Sequence, residues 1–178
     1  MIHTTPRLRI RPLSIGDAAD FFAYRSDPEV TKFQSYHSST LEDAQLLIRS
    51  MEGRAFGKKG EWLQLAILHL ADKKVVGDLG IKPEGYDERV VEVGVTLSKA
   101  YQGQGIAKEA MGAVIQALFQ QHGVHRVLCY IDVENAPSVA MFESMGFRRE
   151  GLTIQSFCNK GVWRDEYLYA VLSSEWKQ

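Results

Sequence analysis

Two glycines flank a glutamine at the mouth of a helical pattern, in the segment YQGQGIAKEA at residues 101–110. Glycine loses more backbone freedom on folding than any other residue, so Gly103 and Gly105 are costly there. A glycine-rich turn that opens a helix also leaves N–H groups unpaired at the positive end of the helix dipole, which favours an anion. The segment therefore predicts a phosphate or pyrophosphate site, with a glycine-rich turn that binds nothing as the alternative.

The same loop argues against two common classes of phosphate-binding site. A Walker loop ends in Gly-Lys-Ser or Gly-Lys-Thr, and neither occurs in this chain. A dinucleotide fingerprint that starts at Gly103 requires glycine or alanine at position 108, where this chain has Lys108. Nicotinamide chemistry is therefore a poor fit.

The segment before the loop, RVVEVGVTLS at residues 89–98, has the period of a strand. Alternation places Glu92, Gly94 and Thr96 on one face and the neighbouring valines on the other. A glycine inside a strand often marks a bulge or the close approach of another group, although a simple packing accommodation would also explain Gly94.

Short polar connections between the strand patterns favour antiparallel neighbours, and helical patterns separate the remaining strands. Together these elements predict an α+β domain with a mixed sheet, and we expect a single domain over residues 1–178. The predicted strands are 7–13, 61–70, 74–83, 89–98, 125–133, 152–158 and 162–172, and the predicted helices are 14–24, 40–51, 106–122 and 136–145.

Composition and charge narrow the possible partners and the location. The net charge of −1 gives no electrostatic reason to expect a nucleic acid or a membrane surface as a partner. The histidines lack metal-ligand spacing, so we predict no metal. The first residues, MIHTTPRLRIRPL, contain no apolar core of signal-peptide length, which predicts a cytoplasmic protein.

The segment Gln102–Ala107, QGQGIA, fits the Q/R-x-x-G-x-G/A signature, and the chain resembles the GNAT N-acetyltransferases, in particular their RimJ/RimL-like branch. The resemblance extends from Arg7 to Trp176. It implies a mixed, mostly antiparallel central sheet of about seven strands, splayed at the middle strands, with helices on both faces. Four further stretches carry the resemblance in order: LRIRPLSIGDAADFFAYRSDPEV, VVEVGVTL, HRVLCYIDVENAPSVAMFESMGFRREG and NKGVWRDEYLYAVLSSEW.

The resemblance also implies acetyl-CoA as co-substrate. Its pyrophosphate would lie on the amides of residues 102–107, and its pantetheine arm would pair with the end of the preceding strand. Asn135 would touch the arm and Ser138 would lie near the sulfur, whereas the sequence alone indicates only helix-capping residues there. The implied cofactor-binding residues are Val95, Thr96, Leu97, Gln102, Gly103, Gln104, Gly105, Ile106, Ala107 and Asn135.

Acetyl transfer needs a neutral amine, a polarised thioester carbonyl and a proton for the leaving thiolate. Many relatives donate that proton from a tyrosine, but the matching position here is Phe142, so we predict Ser138 or water instead. Glu92 is the leading candidate for the base, and a solvated glutamate is the alternative for it. Asp78 and Glu61 are weaker candidates.

The acceptor is predicted from the cost of a neutral amine at pH 7. That cost is about 1 kcal/mol for an N-terminal α-amine and about 4–5 kcal/mol for a lysine or polyamine amine. A chain without an obvious strong base therefore fits a protein N-terminal α-amine, attacked directly in a ternary complex. A polyamine or antibiotic amine, and a CoA-binding sensor without catalysis, remain alternatives. Arg164 and Asp165 either serve structurally, with a surface ion pair as the preferred interpretation, or line the acceptor side. The protein is predicted to be a monomer or a homodimer.

Overall fold

The computed structural model describes residues 3–177, and within them one eight-stranded sheet is covered by four α-helices. The sheet order is β1-β2-β3-β4-β5-β6-β8-β7, and every neighbouring pair is antiparallel except β5 with β6. The strands are β1 His3–Thr4, β2 Leu8–Pro12, β3 Leu63–His69, β4 Lys74–Pro83, β5 Val90–Leu97, β6 Arg126–Asp132, β7 Arg148–Asn159 and β8 Val162–Leu172. The helices are α1 Ala18–Arg25, α2 Leu41–Ser50, α3 Ile106–His122 and α4 Ala136–Ser144.

The predicted α+β architecture with a mostly antiparallel sheet is confirmed, with eight strands in place of about seven. The extra strand is β1, whose two residues pair with β2 and are too short for a periodic pattern to reveal. The first helix begins later than predicted, because a 3₁₀ turn at Ile15–Asp17 precedes it. Helix α3 has the predicted bounds, and Gly123 in the left-handed conformation ends it.

Helices cover both faces of the sheet, as the resemblance implied. On one face, α3 packs residues such as Met111 and Ile115 against Val91 and Val93 of β5. On the other face, α1 and α2 enclose a smaller core that includes Phe21 and Ile48. Strand β4 is therefore buried on both sides along most of its length, whereas the edge strand β7 is mostly exposed. An opening into the middle of the sheet requires two neighbouring strands to part.

Such an opening exists between β5 and β6, the parallel pair. Only Val90, Val91 and Glu92 of β5 pair with β6, opposite Arg126–Leu128. Farther along, β6 pairs only with β8, and residues 93–97 of β5 pair only with β4. One edge of β5 therefore lacks a strand partner over five residues, and the predicted splay of the sheet is confirmed.

A buried ionic cluster holds α1 to the middle of the sheet. The carboxylate of Asp78 on β4 is fully buried and accepts hydrogen bonds from the Tyr24 hydroxyl at 2.9 Å and from Arg25 Nε and Nη2 at 3.0 and 2.5 Å. The Arg25 carbonyl in turn accepts from the Ser38 amide at 3.0 Å, which restrains the α1–α2 loop (residues 26–40). Asp78 is therefore enclosed and paired, and it is not available as a base.

Two glycines of neighbouring strands differ in what surrounds them. A Cβ atom on Gly77 of β4 would lie 2.3 Å from the backbone carbonyl oxygen of Thr96, whereas a Cβ on Gly94 of β5 would meet no atom within 4 Å. Gly77 is therefore required by strand packing. Gly94 is not, so the packing explanation for Gly94 is wrong.

We expect Gly77→Ala to lower the free energy of unfolding by about 1–3 kcal/mol, because the methyl group forces two strands apart. The matched variant Gly94→Ala should change it by less than about 0.5 kcal/mol. Thermal or urea unfolding of both variants measures the difference. Equal destabilisation by the two substitutions would contradict this account of the sheet.

Candidate active site

A groove of about 500 Å³ runs from the unpaired end of β5 across the glycine-rich loop to α4. We call it the loop groove. Its walls come from four places in the chain: the α1–α2 loop, the end of β5, the turn into α3, and α4. Its lining residues include Val95, Thr96, Leu97, Gln102, Gly103, Gly105, Ile106, Ala107, Asn135 and Ser138.

The turn into α3 is built to leave backbone amides free. Gly103 and Gly105 have φ angles of 73° and 74°, in the left-handed region that favours glycine. Gly105 is the N-cap of α3 and offers no side-chain hydrogen bond to the first helical turn. The first amides of α3 therefore keep their hydrogen-bonding capacity for an anion.

Side chains around the turn fix its conformation. Gln102 Nε2 donates to the Leu97 carbonyl at 2.9 Å, and Gln104 Nε2 donates to the Ala100 carbonyl at 2.8 Å. Arg7 Nη1 on the far side donates to the Gln104 carbonyl at 2.9 Å. Of the ten residues predicted to bind the cofactor, nine line the groove and Gln104 does not. The glutamine side chain at position 104 instead braces the turn.

A second, smaller space of about 230 Å³ lies where β5 and β6 part. We call it the carboxylate pocket, because Glu92, Asp132 and Glu166 line it. Aromatic side chains form much of the remaining wall. Five residues line both the pocket and the loop groove, so the two spaces adjoin: Phe33, Gln34, Val95, Asn135 and Ser138.

Glu92, the predicted base, lines this pocket, but it is paired with a cation. It lies opposite Lys82 in the β4–β5 ladder and forms an ion pair with it, and its side chain is 17% exposed. Burial alone would lower the pKa of Lys82, but the hydrogen bond to Glu92 raises it. Lys82 also lies 5.1 Å from the centre of the Trp62 ring. The charge of Glu92 is therefore compensated within the pocket wall.

Glu166 is a site residue that the sequence did not single out. It lies on β8 opposite Asp132 of β6, and its Oε2 accepts a hydrogen bond from Ser156 Oγ at 3.1 Å. Among residues 3–177, no lysine or arginine forms an ion pair with it, in contrast to the other two pocket carboxylates. Burial, together with the charges of Glu92 and Asp132, raises the pKa of this carboxyl group. Because of its raised pKa, Glu166 binds a proton more readily than an ordinary glutamate does.

The start of α4 brings two predicted residues, Asn135 and Ser138, to the junction of the two spaces. Asn135 Oδ1 caps the helix by accepting from the Ser138 backbone amide at 3.4 Å, and the Ser138 hydroxyl makes no hydrogen bond within the described chain. Phe142 is buried and packs edge-on against Phe147, with ring centres 4.9 Å apart. Position 142 therefore supplies an apolar wall in place of a phenol.

Two other expectations are corrected by the geometry. Glu61 does not line the carboxylate pocket, and its carboxylate contacts Lys58 and Arg54 near the surface. Arg164 does not pair with Asp165; it binds Asp132, with Nε to Oδ2 at 2.6 Å. The residues of the described chain contain no cluster of side chains suited to a metal ion. Nor does any of its helices combine the length and apolarity needed to cross a bilayer.

The chain resembles known proteins over nearly its whole length. The chain is 30% identical over 173 residues to the uncharacterized N-acetyltransferase YnaD of Bacillus subtilis (strain 168), covering 97% of this chain and 98% of that protein. Its fold is similar to the crystal structure of a GNAT-family acetyltransferase from Bacillus anthracis, with a TM-score of 0.86 and 27% identity over 98% of this chain and all of the other.

In sequence, relatives with named acceptors match shorter parts of the chain. The ribosomal protein uS5-alanine N-acetyltransferase of Escherichia coli (strain K12) is 27% identical over 84 residues, 47% of this chain and 43% of that enzyme. The spermidine N(1)-acetyltransferase of Vibrio cholerae is 24% identical over 106 residues, 60% of this chain and 61% of that enzyme. A Vibrio cholerae spermidine N-acetyltransferase in complex with CoA and spermine shares the fold, with a TM-score of 0.81 at 19% identity over 96% of this chain and 98% of the other.

The family model of the acetyltransferase (GNAT) domain matches residues 7–148, which include the glycine-rich turn, β5 and β6 with their splay, and the start of α4. The chain therefore belongs to the GNAT family of N-acetyltransferases.

Proposed function

We propose that the protein transfers an acetyl group from acetyl-CoA to a protein N-terminal α-amine by direct attack in a ternary complex. One observation carries this proposal: the loop groove and the carboxylate pocket adjoin at the parting of β5 and β6. A thioester in the groove and an amine in the pocket could therefore meet beside Ser138.

The loop groove has the features that CoA requires. Free amides at the start of α3 suit a pyrophosphate, and the unpaired edge of β5 suits an amide-rich arm that binds as an added strand. The open space above Gly94, in the adjoining carboxylate pocket, leaves room for the end of that arm. When bound, acetyl-CoA supplies the activated acetyl group as a thioester. N–H groups on the unpaired edge of β5 can donate hydrogen bonds to its carbonyl oxygen.

The charge of the pocket supports an acceptor with one positive charge. Lys82 compensates Glu92 and Arg164 compensates Asp132, so only Glu166 is left without a cation. A polyamine carries several charges near pKa 10.4, and keeping its reacting nitrogen neutral at pH 7 costs about 4–5 kcal/mol. An α-amine carries one charge and costs about 1 kcal/mol. The pocket therefore fits an α-amine better than a polyamine.

Two carboxylates could take the proton from the amine, and we favour Glu166 over Glu92. A general base works best when its pKa lies near the working pH, and burial raises the pKa of Glu166. The carboxylate of Glu92 is already engaged in an ion pair with Lys82, which leaves it less free to contact the amine. For the leaving thiolate, the Ser138 hydroxyl or a water molecule replaces the phenol that position 142 lacks.

Three single substitutions test these roles. We expect Glu166→Gln to lower kcat by about 10²–10⁴-fold, the usual contribution of a general base, and the isosteric Glu92→Gln to lower it by less than about tenfold. A base acts when deprotonated, so wild-type kcat/KM should rise with pH through the raised pKa of Glu166, and Glu166→Gln should lose that rise. Ser138→Ala should lower kcat more than CoA affinity.

Steady-state kinetics across pH and CoA titration provide these measurements. If Glu92→Gln lowers kcat more than Glu166→Gln does, Glu92 is the general base, as the sequence predicted. An unchanged kcat in Ser138→Ala would remove Ser138 from the mechanism.

The acceptor is tested by mass spectrometry with acetyl-CoA and a panel of amines. The panel pairs a peptide that has a free N-terminus with the same peptide blocked at its N-terminus and carrying a lysine, and adds spermidine and small amine drugs. We expect acetylation of the free N-terminus only. Acetylation of spermidine or a drug instead would show that the proposed acceptor is wrong, while the proposed acetyltransferase activity would stand. CoA binding without any product would favour a sensor.

A further inference from the structure

Arg164 of β8 lies at the point where three segments of the active site meet. Its Nε and Nη2 donate to the two oxygens of Asp132 at 2.6 and 3.2 Å, and Nη2 also donates to Glu134 at 2.7 Å. A planar guanidinium with two parallel hydrogen bonds fixes its partner in orientation as well as distance. The β6–α4 turn (residues 132–135) is thereby attached to β8.

Through Asp132, Arg164 is connected to the residues at the junction of the groove and the pocket. The Asp132 side chain is 6% exposed, and its Oδ1 also accepts from the Glu134 amide at 2.8 Å. The Asp132 carbonyl accepts from the Asn135 amide at 2.9 Å. Asn135 is the N-cap of α4 and leads to Ser138. The orientation of Asp132 therefore sets where α4 begins.

The opposite side of Arg164 meets the α1–α2 loop. Its guanidinium carbon lies 5.8 Å from the centre of the Phe33 ring, within the range of a cation–π contact. Next to it, the Lys32 carbonyl accepts from Asn159 Nδ2 at 2.8 Å, and Lys32 Nζ lies 3.8 Å from Glu134. Phe33 lines both the groove and the pocket. The α1–α2 loop therefore contacts Arg164, as the β6–α4 turn does, and Glu134 of that turn.

We propose that Arg164 is a positioning residue: it holds Phe33 and the β6–α4 turn together as the facing walls where the acceptor pocket meets the cofactor groove. The kinetic part of this inference rests on the proposed acetyl transfer, and the structural part does not. Loss of Arg164 leaves the pocket carboxylates in the chain but lets the two walls separate, so the acceptor is held less well. The chemical step then suffers less than acceptor binding.

The test compares Arg164→Met with Arg126→Met. Arg126 of β6 binds the carboxylate of Glu150 through two nitrogens, as Arg164 binds that of Asp132, and its side chain is 22% exposed against 21% for Arg164. Arg126 lines neither space. We expect Arg164→Met to raise the acceptor KM roughly tenfold with a smaller change in kcat, because misplacement of a substrate-holding wall weakens positioning. Arg126→Met should leave both values as in the wild type.

Two further variants test whether the effect of Arg164 depends on its paired hydrogen bonds and on its contact with Phe33. Arg164→Lys retains the charge but not the paired hydrogen bonds, so it should not rescue the acceptor KM. Phe33→Leu removes the other half of the contact, and the double variant should be no worse than the more impaired single variant. Full rescue by lysine, or additive effects in the double variant, would overturn the proposal.

Amide hydrogen exchange gives a readout that does not depend on catalysis. In Arg164→Met, exchange should quicken in residues 29–36 and 133–138 but not in α3. If Arg164→Met does not fold, Phe33→Leu should still quicken exchange in residues 133–138. If the variants exchange at wild-type rates in both segments, the proposal is wrong. If the wild-type protein acetylates no amine, the proposed function fails, and the exchange data still decide the role of Arg164.

Discussion

The structure depends on the parting of β5 from β6 after Glu92. Backbone N–H and C=O groups in a sheet are normally paired, and leaving them unpaired in a buried place is costly. Here one edge of β5 is without a strand partner over residues 93–97, next to a groove of about 500 Å³. In the proposed function, a ligand with its own amide groups pairs with this edge, and the adjoining pocket admits a second substrate to the same place.

The rest of the molecule keeps this opening in shape. The core under α3 supports β5 from one side, and the buried cluster of Tyr24, Arg25 and Asp78 fixes α1 and its following loop on the other. A buried ion pair adds little net stability over apolar packing, but breaking one is strongly destabilising. The cluster therefore serves to fix the position of a loop whose Phe33 and Gln34 line both spaces.

Local patterns allowed much of this to be predicted from the sequence. The bounds of α3 follow from its apolar period and Gly123, and the free amides follow from Gly103 and Gly105. The resemblance to the family implies a phenol at position 142, and Phe142 shows that it is absent. Other features depend on which residues meet across the sheet. Burial raises the pKa of Glu166, and the β6–β8 register adds the nearby charge of Asp132. Glu92 is compensated because Lys82 lies across from it. Sequence alternation assigns faces but not partners, so neither contact could be predicted.

The most direct test of the account is amide hydrogen exchange along β5 with and without CoA. In the free protein, the amides of residues 93–97 on the side facing β6 should exchange faster than those of residues 90–92, and saturating CoA should slow them. Unchanged exchange at these residues, with CoA binding shown independently, would contradict the claim that the unpaired edge of β5 is the binding surface for CoA.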